Sequence, residues 1–123
     1  YEMSMIQKFT DLVAWKEGHR LVLLIYKLTS EFPQKEAYAL TDQMRRAVVS
    51  ITSNIAEGFS RSSKKEKIQF YRMALGSLTE LQNQIVIARD LHYLDLNSFN
   101  ELAMQTVVVA KLINGLIKSA INH

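Results

Sequence analysis

Gln43, Ser50, Asn54 and Glu57 recur at intervals that place them in one narrow arc of a helix, with Arg46 at its edge. Just beyond come Arg61, Lys64, Lys65 and Lys67, interrupted only by Glu66, and then Arg72 one turn later. Two kinds of chemistry could use such residues. Carboxylates and amides on one face can hold a metal or move protons; a basic run at a helix start can hold phosphate.

The first kind finds little support. A di-metal carboxylate bundle needs a Glu-x-x-His pair, but Ser60 follows Glu57 at that spacing and Asn83 follows Glu80. His19, His92 and His123 sit on separate segments, and the chain has no cysteine. No glycine-rich phosphate loop or nucleophile elbow occurs. The sequence predicts no catalytic residues, no metal and no cofactor; an enzyme ranks third among the readings.

The second kind is better supported. Lysines in the first turn of a helix add to the positive end of its dipole, so local stability argues against them and anion binding argues for them. Arg61, Lys64, Lys65, Lys67 and Arg72 are therefore the candidate contacts to RNA or DNA, helped by Arg45 and Arg46 where these are exposed. The runner-up is a protein-binding adaptor whose basic edge is only solvated surface.

Four helical segments must position these groups. One proline and four glycines leave few breakers, and the strongest punctuation falls at Phe32–Gln34, Gly58–Ser63 and Asp95–Ser98. The first segment, about Asp11 to Ser30, carries Leu12, Trp15, His19, Val22, Leu23 and Tyr26 at helical spacing. The second, about Thr41 to Phe59, carries Met44, Val48, Ile51, Ile55 and Phe59. The third opens with Ser63 and Glu66 as a capping box and continues with Phe70, Ala74, Leu78, Leu81, Ile85 and Ala88. The fourth follows Asn97 as N-cap, with Phe99, Leu102, Thr106, Val109, Ile113 and Leu116. No segment alternates with period two. The pattern predicts an all-α, antiparallel up-down-up-down four-helix bundle over residues 9–123, preceded by a tail at 1–8 in which the residues ahead of Met3 or Met5 read as a cloning remnant.

Counting back from the turn near Arg61 sets Ala47 against Gly76 and Gln43 level with Glu80, which predicts an Arg46–Glu80 ion pair between the second and third helices. Glu57 opposes the dipole at its helix end, so Lys67 or Lys16 is expected to compensate it. The stripe of Gln43, Arg46, Ser50, Asn54, Glu57, Ser77 and Glu80 reads first as a polar network fixing helix register. The third helix carries a second apolar stripe, Ile68, Tyr71, Leu75 and Val86, and the fourth carries Met104, Val108 and Leu112. Helices apolar on two sides predict packing against further copies of the chain.

Composition sets outer bounds. With 123 residues, 48% hydrophobic and 22% charged, the chain suits a single folded domain and not a disordered one. A net charge of +3 is compatible with an acidic partner without requiring one. The continuous apolar runs, Leu21–Tyr26 and Val107–Ala110, fall short of a bilayer span, and the start has no signal-peptide pattern, so a cytoplasmic protein without membrane contact is expected.

Three blocks carry a resemblance: FTDLVAWKEG at Phe9–Gly18, FPQKEAYALTDQMRRAVVSITSNIAEG at Phe32–Gly58, and ALGSLTELQNQI at Ala74–Ile85. In these the chain resembles the bacterial four-helix-bundle proteins encoded by intervening sequences of large-subunit ribosomal RNA genes. The resemblance implies a homopentamer similar to the accessory variability protein of diversity-generating retroelements, a basic barrel that binds nucleic acid and a reverse transcriptase. The family's characteristic positions fall on Gln43, Arg46, Ser50, Asn54, Glu57, Gly58, Gly76, Ser77 and Glu80. It implies no settled activity and no catalytic set.

Overall fold

The computed structural model describes residues 6–123. Met3 and Met5, at which the tail is divided above, lie outside the described residues. Four helices follow in order: α1 (Val13–Thr29), α2 (Leu40–Ser60), α3 (Lys64–Asp90) and α4 (Leu96–Asn122). Short 3-10 turns at Phe9–Asp11 and Gln34–Glu36 lead into α1 and α2. Each helix packs on its sequence neighbour, and α1 closes the bundle against α4. No strand occurs among the described residues.

The core is the set of inward stripes. Leu21 and Ile25 of α1, Met44, Val48, Ile51 and Ile55 of α2, Leu78, Leu81 and Ile85 of α3, and Leu102, Val109 and Ile113 of α4 are all buried. Each contributes about 1.5–3 kcal/mol of transfer free energy. The face of α1 differs from the expected one. Ala14, Gly18, Leu21, Ile25 and Thr29 point inward, Trp15 and Val22 flank them, and His19, Leu23 and Tyr26 are exposed. Close approach explains the rotation: a Cβ on Gly18 would sit 3.0 Å from the Thr52 methyl. Small residues, not the bulky ones, mark that contact. Along the opposite side, Gln105 Nε2 donates to the Glu17 carbonyl at 3.0 Å and its carboxylate at 2.9 Å, joining α4 to α1.

Two helix starts can be compared directly. Ser63 Oγ accepts the Glu66 N–H at 3.1 Å, as expected for α3. The N-cap of α4 is Asp95 and not Asn97: Asp95 Oδ1 accepts the Ser98 N–H at 2.7 Å, and Asn97 already lies inside the helix. That backbone hydrogen bond holds the Asp95 carboxyl below its ordinary pKa. His92, at φ 64°, supplies the left-handed residue of the α3–α4 turn.

The second stripe of α3 is mostly absorbed within the chain's own bundle, because α3 lies between α2 and α4. Ile68 and Leu75 are half-buried against the core. Tyr71 is only 4% exposed and faces Gly58, so it belongs to the core of the bundle and is not available as the surface for another copy that the sequence suggested. Val86 remains 38% exposed, and Met104, Val107 and Val108 of α4 lie exposed as well. By length and composition α4 could also cross a bilayer, with a mean hydropathy of 1.2 over its most apolar window. In the bundle it buries Leu102, Thr106, Val109, Ile113 and Ile117 against the other helices.

Candidate nucleic-acid interface

Antiparallel packing brings the C-terminal ends of α2 and α4 beside the N-terminal end of α3. The first-turn lysines of α3 use that placement. Lys67 Nζ donates to the carbonyls of Phe59 at 2.8 Å and Gly58 at 3.3 Å, in the last turn of α2, and sits 5.5 Å from the Phe59 ring centroid. Lys64 Nζ donates to the Ile121 carbonyl of α4 at 3.3 Å. These charges oppose their own helix dipole but meet the negative ends of two others.

Lys67 therefore does not compensate Glu57, and neither does Lys16. Arg61 does so: its Nη2 lies 2.6 Å from Glu57 Oε2, with the guanidinium 4.7 Å from the Phe70 ring centroid. The two groups are one helical turn apart in sequence. A Cβ on Gly58 would stand 2.6 and 2.8 Å from ring carbons of Tyr71 and 3.2 Å from Phe70 Cβ. Gly58 leaves room there for the Tyr71 ring against α2, and burial pushes the Tyr71 phenol pKa up.

Beside this junction Lys64, Lys65, Ile68, Gln69, Arg72, Met73 and Ile121 line an open groove of about 860 Å³. Among the described residues no carboxylate lines it. Lys65 and Arg72 are exposed and have no acid partner among the described residues.

The other predicted contacts stand apart. Arg45 Nε donates to Thr29 Oγ1 at 2.9 Å, its Nη2 donates to the Tyr26 carbonyl at 3.3 Å, and its guanidinium covers the Tyr26 ring at 4.5 Å. It caps the end of α1. Arg46 pairs with Asp42, one turn earlier in α2, at 3.0 Å. At about 1.5 Å of rise per residue, both lie roughly 20 Å along α2 from the junction. Of the seven basic residues named as candidate contacts, Arg45 and Arg46 thus lie toward one end of the bundle and the other five at the opposite end, where α3 begins.

The polar stripe is real in part. Ser50 and Ser77 hydroxyls lie 2.8 Å apart, joining α2 to α3, and Asn54 Nδ2 donates to the Ser50 carbonyl at 2.9 Å and to its hydroxyl at 3.1 Å. Gln43, Glu57 and Glu80 are not part of it: Glu57 pairs with Arg61, and neither Gln43 nor Glu80 bonds across to the facing helix. The expected Arg46–Glu80 pair is absent, because Asp42 offers Arg46 a partner on its own helix face; Glu80 instead accepts from Gln84 Nε2 at 3.4 Å. Nor do Ala47 and Gly76 meet. A Cβ on Gly76 would have nothing within 4 Å, since the level pairing is Ser50 with Ser77, one turn from the count made at the loop.

The sequence reasoning missed the carbonyl partners of Lys64 and Lys67, and Ile121 as part of the groove. The available signal was topological: an antiparallel neighbour always brings a C-terminal end beside a helix start. Among the described residues no three His, Asp or Glu side chains gather as metal ligands. His19 stacks on Trp15 with ring centroids 4.7 Å apart.

A search among curated proteins finds no match. Among solved structures, the chain is similar to a protein of unknown function from the S23 ribosomal protein family of Bacteroides thetaiotaomicron VPI-5482. The TM-score is 0.80 at 19% identity, covering 86% of this chain and 96% of that one, which establishes a shared fold. The profile described as 23S rRNA-intervening sequence protein matches residues 10–115. With that match over most of its length and the four-helix architecture around it, the chain belongs to the 23S rRNA-intervening sequence protein family.

Proposed function

We propose that this protein is a non-enzymatic, homo-oligomeric bundle of the cytoplasm that binds RNA or DNA at the end where α3 begins. The observation that carries the reading is charge placement. Arg61, Lys64, Lys65, Lys67 and Arg72 lie around the start of α3 with Glu57 and Glu66, five cations to two acids along that stretch of chain. A carbonyl hydrogen bond to a lysine leaves its charge in place, and the summed field there favours a polyanion. Assembly would multiply the effect, and the exposed Val86, Met104, Val107 and Val108 offer an apolar surface for it. A pentamer and a reverse transcriptase partner are the forms the family resemblance suggests.

Binding of single-stranded and duplex RNA and DNA across a salt series tests this. The variant Lys65→Gln/Arg72→Gln leaves the capping lysines untouched. It is expected to flatten the slope of log affinity against log salt by roughly 0.7–0.9 for each phosphate that is no longer neutralised. If the wild type binds none of the four at low salt, the protein-adaptor reading replaces this one. For assembly, light scattering is expected to give an oligomer that Val86→Glu and Met104→Glu reduce; a monomeric wild type ends that part.

A further inference from the structure

From the lining of the groove, and resting on the nucleic-acid reading above, we infer that the preferred ligand is an unpaired strand and not a duplex. Lys64, Lys65 and Arg72 share the groove with Ile68, Met73 and Ile121, with no carboxylate in the lining among the described residues. The basic side chains suit any phosphate backbone. The apolar ones do not. A duplex keeps its base faces stacked inside and presents phosphates and sugars outside, so it would cover Met73 and Ile121 without offering them an apolar partner. An unpaired strand can turn a base onto them while its phosphates meet the charges.

Both Met73 and Ile121 are about half exposed, so neither is held in place by the core. A methionine thioether is polarisable and makes favourable contacts with aromatic rings, which is the face a base presents. Gln69, on the same lining, carries an amide able to donate to and accept from a base edge. Apolar contact of this kind depends on buried area and is insensitive to salt, whereas neutralising phosphates is strongly salt-dependent. The two contributions therefore separate in one titration.

The experiment compares an oligouridylate with an RNA duplex of equal length, by fluorescence anisotropy over a salt series, for the wild type, Met73→Ser/Ile121→Ser and Lys65→Gln/Arg72→Gln. The wild type is expected to favour the single strand. The apolar double variant is expected to bind the single strand roughly fivefold or more weakly with its salt slope unchanged, and to bind duplex as before. Circular dichroism establishes that the variants remain folded. Equal or tighter duplex binding by the wild type, or an apolar variant that weakens on neither ligand or on both alike, overturns the strand preference while the nucleic-acid reading stands. Failure of the wild type to bind either RNA at low salt overturns the preference for an unpaired RNA strand; failure on single-stranded and duplex DNA as well overturns the nucleic-acid reading too, and points to an acidic protein segment as the occupant of the groove.

Discussion

Lys67, in the first turn of α3, donates its ammonium to the Phe59 carbonyl in the last turn of α2 at 2.8 Å. A cation that opposes its own helix dipole thus completes the end of its neighbour, and Lys64 repeats the relationship with α4.

The exchange has a thermodynamic consequence. Lys67→Gln is expected to lower stability by about 1 kcal/mol, through loss of a charged donor at a helix C-terminus. Lys65→Gln, which removes an equal charge from the same turn without a carbonyl partner, is expected to change stability by less than about 0.5 kcal/mol. Urea unfolding of the two variants distinguishes a cap from generic first-turn charge; equal effects would reject the cap.

Two glycines should respond in opposite directions. Gly58→Ala sets a methyl against the Tyr71 ring, at 2.6 Å from its nearest carbon, and should cost about 1–3 kcal/mol. Gly76→Ala meets open space in a helix interior and should stabilise the folded chain by roughly 0.5–1 kcal/mol. Thermal denaturation reads both. An oligomer that dissociates in Gly76→Ala would reveal that another copy occupies the space above it.

The Ser50–Ser77 hydrogen bond invites a double-mutant cycle. Ser50→Ala also removes an acceptor from Asn54, so it should cost more than Ser77→Ala, with a coupling of about 0.5–1.5 kcal/mol between the two. Additive losses in chemical denaturation would show that the hydroxyls contribute independently.

Acid and alkali should each weaken the fold through identified groups. Asp95 is held below its ordinary pKa of 3.8 by the Ser98 backbone N–H, and Asp11 by those of Gln7 and Lys8. Their stabilisation is present above pH 3.8 and is lost as pH falls through the depressed folded values. Asp95→Asn keeps an acceptor without the charge and should flatten that acid limb. Tyr93 runs the other way: its hydrogen bond to Glu36 raises its pKa above 10.0, so its contribution is full below pH 10.0 and disappears as pH rises through the folded value. Tyr93→Phe should remove that alkaline loss, as followed by thermal melts across pH.

What could be read from the sequence depended on the range of each interaction. The stripes of α2 and α3 and the Ser63 cap depend on spacing along one helix, and they stand where periodicity placed them except at Phe59 and Phe70, which are half-buried, with Tyr71 buried beside Phe70. The face of α1 did not, because the buried side includes Ala14 and the closely approached Gly18, and small residues give a weak apolar signal. The α4 cap was displaced by two residues in a segment where Asp95 and Asn97 are both good cappers. The pairings that require two helices in register, Arg46–Glu80 and Ala47–Gly76, did not form, because a count from the loop carries an error of one turn. The groove needed three-dimensional placement of Ile121, which lies far along the chain from every other part of its lining.

The α1–α4 seam, held in part by Gln105 on Glu17, is the one helix pairing that joins distant parts of the chain; the other three pairings link consecutive helices. Loop-closure entropy therefore falls mainly on the seam, and the low average sequence separation elsewhere favours rapid folding. A hairpin of α2 and α3, tied at Gly58–Tyr71 and Ser50–Ser77, can assemble from local contacts before the chain ends meet. Native-state amide exchange should then open in the reverse order, with α1 losing protection while the central hairpin keeps it.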